Sequence, residues 1–184
     1  MQVAEAQREM RAVFLNGAIG QIVSGAIWLV SAALSTAGNR RLGVLTLVIG
    51  GAFIFPITRL VLALMRRRSA LGPANPLTGL AMEIAFIVPL TLPLVGGAAL
   101  HNPSWFYPGC MIVVGAHYLP FIFLYGLWHF GVIAALLLGG GIALGLAAPH
   151  AFTTGGWLTG AALVAFGAWL ATVKEPRAGA GAPV

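Results

Sequence analysis

The sequence predicts an all-α fold, a polytopic transmembrane bundle of six helices, and three observations carry that prediction. Hydrophobic residues fill 59% of the 184 positions. Charged residues make up only 8%, against roughly 25% in an average soluble domain. Long apolar stretches recur along the chain, separated by short runs of Gly, Pro, Asn and Arg. So few charges cannot furnish a water-soluble surface, so the solvent for most of this chain is a lipid bilayer.

Each element follows from its residues. Positions 1–12 are polar, and Glu5 with Arg8 at i,i+3 suggests a short cytoplasmic helix feeding the first span. A helix needs roughly 20 apolar residues to cross the hydrocarbon core. Stretches of that kind lie at 13–35, 43–65, 77–99, 110–128, 132–149 and 156–173. The first is longer than the ~7–15 residues of a signal-peptide core, and is read as a retained helix. Gly38-Asn39-Arg40-Arg41 and the run from Arg66-Arg67-Arg68 to Pro76 separate the first three spans. The aromatic, proline-bearing segment His101–Gly109 closes the third.

Residues 110–148 read as one apolar run. As a single helix it would stretch about 58 Å at 1.5 Å per residue, nearly twice the bilayer core. A turn is therefore required, and Gly126 to Gly131, with Trp128 and His129 as interfacial residues, is the place for it. The Gly/Pro/Ala-rich tail at 174–184 is expected to be a disordered cytoplasmic segment.

Orientation follows from counting Arg and Lys in the connections. One side collects Arg8, Arg11, Arg66, Arg67, Arg68, Lys174 and Arg177; the other holds Arg40 and Arg41. That asymmetry places both termini in the cytoplasm, with Trp105, Phe106, Tyr107 and Trp157 at the outer interface. It also accounts for the net charge of +6 without nucleic acid, since no basic face interleaved with aromatics is present.

An ionisable side chain within a span is expensive, ~2.5–3.5 kcal/mol on insertion scales, and is a functional hypothesis by default. Arg59 and Glu83 sit inside the second and third spans at similar depth, where antiparallel neighbours would bring them together as an ion pair. Gln21 in the first span and His117 and Tyr118 in the fourth complete a candidate intramembrane polar site. That site reads two ways. It is a solute or proton site in which Glu83 and His117 exchange protons, or a structural salt bridge with Gln21 and His117 as interhelical hydrogen-bond partners. Pro56, Pro89, Pro93 and Pro120 each remove a backbone donor inside spans two to four and are expected to kink them.

Other chemistry finds little support. Asp is absent, so no Ser/His/Asp triad exists, and Cys110 reads as a small apolar residue with no base at its depth. One cysteine and scattered histidines offer no metal site, and no cofactor is expected. Gly51 to Pro56 echoes Gly115 to Pro120, and Gly17 to Ile22 echoes Gly79 to Ile84. The echo suggests a parallel repeat of two hairpins, although Gly, Ala and Pro are common enough here for chance matches.

The stretch from Met111 through His117, Tyr118 and Pro120 to Gly126 resembles the signature of a bacterial family of uncharacterised small multi-pass membrane proteins, a 7010-type domain of unknown function. Phe53 to Pro56 and Asn75-Pro76 share the resemblance. It implies a bacterial cytoplasmic (inner) membrane location and no particular activity, and it suggests that His117, Tyr118 and Pro120 carry something the family shares.

Two functions are then expected. The first is a small transporter or channel-like protein using the polar site. The second is a non-catalytic accessory or assembly subunit, as a homo-oligomer or within a larger membrane complex. An intramembrane lipid-modifying enzyme using a Glu/His pair has no motif behind it.

Overall fold

A computed structural model describes residues 1–148 and 151–173. The expected tail at 174–184, with Lys174 and Arg177, lies outside the described residues, as does His150. Among the described residues the chain forms α1 (Val3–Phe14), α2 (Ala18–Thr36), α3 (Arg40–Leu64), α4 (Leu77–His101), α5 (Phe106–Tyr125), α6 (His129–Ala147) and α7 (Thr154–Thr172). Six of these, α2 to α7, lie in segments long and apolar enough to cross a membrane. The fold is all-α and multi-pass, as the hydropathy pattern predicts.

The amphipathic helix α1 does not extend the first span. Its apolar stripe, Ala6, Met10, Val13 and Phe14, is buried against the bundle. The Glu5 carboxylate accepts the Gln2 N–H at its start. Hydropathy assigns Val13 and Phe14 to the first span because both are apolar, but the backbone breaks immediately after them. Leu15, Asn16 and Gly17 take φ of 52°, 57° and 86°. The left-handed region is open to Gly and tolerated by Asn, but unfavourable for Leu. What holds this elbow is Asn16, whose Nδ2 donates to the Leu170 and Val173 carbonyls at the end of α7 (3.1 and 2.9 Å). One side chain thus fixes the turn and satisfies carbonyls that a helix end leaves open.

The turn between spans four and five falls where length arithmetic puts it. Gly126 ends α5 at φ 63°, and α6 begins at His129. All four prolines sit within helices that continue past them.

Helix α2 packs on α7 and α3, α5 packs on α6 and α4, and α5 and α6 also touch α7. Small residues permit the closest approach. A Cβ on Gly25 would stand 2.8 Å from the Gly160 carbonyl oxygen, and one on Gly141 equally close to that of Pro108. Gly25 and Gly141 therefore serve packing within the chain. The outcome is a tight centre of α2, α5, α6 and α7, with α3 and α4 outside it. In their most apolar 18-residue stretches, 17% of α3 and 11% of α4 is buried, against 44% for α7. Helices α3 and α4 are not packed on each other. Helix α1 bridges them, where Phe14 meets Phe55 of α3 and Asn75, leading into α4, bonds to Ala6.

Candidate functional site

The predicted polar residues separate into two sets. Gln21 and Ser24 on α2 are buried, as is Tyr118 on α5. The Tyr118 hydroxyl lies within hydrogen-bonding reach of both. The Gln21 Oε1 is buried without a partner among the described residues. His117, next along α5, turns to a different neighbour because successive helical residues diverge by about 100°. Its half-buried ring faces the Ile84 backbone of α4, with Phe121 at 5.0 Å between ring centroids. The His117 Nδ1 is buried and unpartnered among the described residues.

Arg59 and Glu83 are exposed on α3 and α4 and are not joined. The pairing expected of consecutive antiparallel helices requires those helices to pack side by side, and these two do not. The Arg59 guanidinium instead lies over the Phe55 ring, 6.0 Å from its centroid. Phe55 is one turn further from the α3 end at Leu64, so Arg59 leans toward the membrane interior and does not snorkel out of it. Glu83 immediately precedes Ile84, the residue His117 faces, but its own side chain is exposed. Among the described residues the one ion pair is Arg68–Glu9, at 3.4 Å.

Two polar assemblies have no counterpart in the sequence reading. The first joins α2, α3 and α5. Tyr107, fully buried, bonds to Ser31 (2.7 Å) and Ser35 (3.0 Å), and Ser31 donates to the Gly43 carbonyl (2.8 Å). The carbonyl can only accept, so Ser31 has spent its single proton there. Tyr107 must then donate to Ser31, and Ser35 must donate to Tyr107. Tyr107 and Phe106 are therefore turned into the bundle and do not face lipid as belt residues would. A Tyr flanked by Phe looks like an aromatic belt, and only the Ser31/Ser35 spacing on one face of α2 hints otherwise.

The second assembly surrounds α1. Gln7 donates to the Phe123 carbonyl and Arg11 to that of Tyr125 (2.6 Å), so α1 closes the end of α5. Glu9 accepts from the Gly72 N–H (2.8 Å) and from Asn75 Nδ2 (2.9 Å). Those two bonds, with Arg68 nearby, hold its carboxyl below the usual carboxylate range, against the opposing effect of partial desolvation. Asn75 also donates to the Ala6 carbonyl and accepts from the Leu77 N–H, pinning the start of α4 to α1.

A pocket of about 460 Å³ opens at this end, lined by Arg11, Asn16, Ile19, Ile22, Met65 and Arg67 among others. Among the described residues no three His, Cys, Asp or Glu side chains converge as metal ligands would. What the geometry provides is buried hydroxyl and amide networks that bond mainly to one another, and two charged side chains, Arg59 and Glu83, exposed partway along the least buried helices.

No curated protein and no solved structure matches the chain. Residues 3–173 match a family of unknown function (DUF7010), so the α1 hub, the elbow and all six spanning helices fall within the matched region, and the chain belongs to that family.

Proposed function

We propose that this protein works by lateral association within a membrane, as a non-catalytic assembly or accessory subunit, and not as a self-contained carrier. The supporting observation is the outward exposure of Arg59 and Glu83 on α3 and α4. Leaving both charges to lipid costs at most about 5–7 kcal/mol in sum, the insertion-scale value for helix centres. A docked partner that brings opposite charges removes most of that cost. The interior polar groups fit the same reading, because Tyr107, Ser31 and Ser35 are bonded to one another and Tyr118 lies against Gln21 and Ser24. The Arg66–Arg68 run fits the cytoplasmic side of a bacterial inner membrane.

The test is extraction into polymer-bounded patches of native lipid, followed by mass measurement. A defined complex that is lost in Arg59→Leu and Glu83→Leu supports this function; a lone monomer with wild-type side chains would overturn it. The transport reading keeps one foothold, the unpartnered His117 Nδ1 beside the α4 segment that carries Glu83. It requires solute or proton flux in proteoliposomes that Glu83→Gln abolishes.

A further inference from the structure

We infer that the partner completing the α3/α4 face is a second copy of this chain, related by a two-fold axis along the membrane normal. The inference rests on the docking function proposed above and identifies its occupant.

Depth carries the argument. Helix α3 ends and α4 begins at the same arginine-rich end of the bundle. Arg59 lies about 7.5 Å from the α3 end at Leu64, and Glu83 about 9 Å from the α4 start at Leu77, at helical rise. One positive and one negative side chain are therefore exposed at nearly equal depth, on two helices that α1 bridges. A rotation about the membrane normal leaves depth unchanged. It sets Arg59 of one copy opposite Glu83 of the other, and the reciprocal pair forms in the same step, as an isologous interface requires. Both charges are satisfied with no net charge left over. An unrelated partner would have to supply its own acid and its own base at matching depth.

The surroundings fit such a seam. Arg59 is held over Phe55 and directed away from the polar boundary. Arg is enriched among the residues that anchor protein interfaces. Phe53 and Phe55 on α3, with Met82 and Phe86 on α4, are each more than half exposed and lie within two turns of the charges. They supply the apolar surround that excludes water from a buried pair. The opposite charges also set register, since sliding one copy along the normal separates both pairs together.

The decisive experiment reconstitutes the purified full-length protein in nanodiscs of phosphatidylethanolamine and phosphatidylglycerol. Oligomeric state is then read by native mass spectrometry, with energy transfer between labelled copies as a second measure. Wild-type protein is expected to be a dimer. Arg59→Glu alone and Glu83→Arg alone should each weaken self-association at least tenfold, because like charges then face each other at both contacts. Mixing the two single variants should restore a dimer containing one copy of each, and the double swap should dimerise with itself. Restoration in the mixture also shows that each single variant is folded.

A wild-type monomer in these discs, or single swaps that associate as well as wild type, overturns the inference. Single swaps that fail and are not restored on mixing also overturn it. If the wild type is monomeric here but leaves native membranes bound to a different membrane protein, self-pairing is wrong and the docking function stands. A monomer in both settings discards the two together.

Discussion

The polarity of the Ser35–Tyr107–Ser31–Gly43 chain makes a prediction that bond counting refines. Tyr107→Phe removes only the hydroxyl of a fully buried ring, so no cavity follows. Both of its bonds, at 2.7 and 3.0 Å, are lost. The Ser31 proton stays on the Gly43 carbonyl. The freed Ser35 proton turns back to the carbonyl four residues earlier, as Thr36 and Thr58 already do. No buried donor is orphaned, so the loss is that of two interhelical bonds, about 1.2 kcal/mol at the ~0.6 kcal/mol average measured inside membrane proteins. Ser35→Ala should cost half as much, because the Tyr107→Ser31→Gly43 donors remain in place. In a Tyr107→Phe background, Ser35→Ala should then cost almost nothing, since the bond it removes is already gone. The assay is reversible unfolding in mixed micelles or bicelles, with the four proteins forming a double-mutant cycle. Additive costs would refute the Ser35–Tyr107 bond, and a Ser35→Ala loss larger than that of Tyr107→Phe would refute the assigned direction of the chain.

Other consequences are as direct. Gly25→Val should destabilise by about 1–3 kcal/mol through overpacking, since its Cβ would meet the Gly160 carbonyl at 2.8 Å; Gly97→Ala, in open space on α4, should show no loss in the same unfolding assay. Asn16→Ala loses both bonds to α7 and puts a Cβ without a polar group at φ 57°. It should cost about 2–3 kcal/mol in the same unfolding assay, while Asn16→Gly, which keeps the backbone at ease, should cost less. Glu9 has a folded pKa depressed chiefly by Asn75 and then by Gly72, so its stabilising effect is present above the ordinary carboxylate range. That effect is lost as pH falls from that range through the lower folded value. Melting temperature should therefore drop over that acidic window in wild type, and Glu9→Gln should flatten this part of the profile.

Much of the fold was legible because hydropathy and length are one-dimensional quantities. Six spans, the turn at Gly126 and the helix before the first span all follow from composition along the chain. Two features escaped for physical reasons. The elbow at Leu15–Gly17 is a change of backbone hand between two apolar stretches, and transfer energies do not register it. The position of α4 depends on which helices touch. Neighbours in sequence usually pack together, and that expectation placed Glu83 against Arg59. Here the 65–76 connection instead runs over α1, where Glu9 binds Gly72 and Asn75, and carries the chain past α3 to α5. Asn75-Pro76, one of the segments carrying the family resemblance, thereby acquires a physical role as the anchor of that crossing.

The candidate site was harder to read because the charge of a residue is a poor guide to what a membrane bundle buries. The buried stripe of α2 is Gln21, Ser24, Gly25, Trp28, Ser31, Ala32 and Ser35, recurring at helical spacing and made almost wholly of small or uncharged polar residues. A serine or tyrosine hydroxyl can close its bonds on one neighbour and a backbone carbonyl, so it is inexpensive inside the bundle. A guanidinium or carboxylate needs a counter-charge and several donors or acceptors, and among the described residues no ion-pair partner meets Arg59 or Glu83. Expelling such groups to the outer face does not relieve the cost in lipid; it only transfers the unmet pairing from the interior of one chain to its surroundings. Polar residues buried among small ones in α2 therefore tie this chain to itself, whereas Arg59 and Glu83, exposed within their spans, are the groups through which the proposed docking would select a partner.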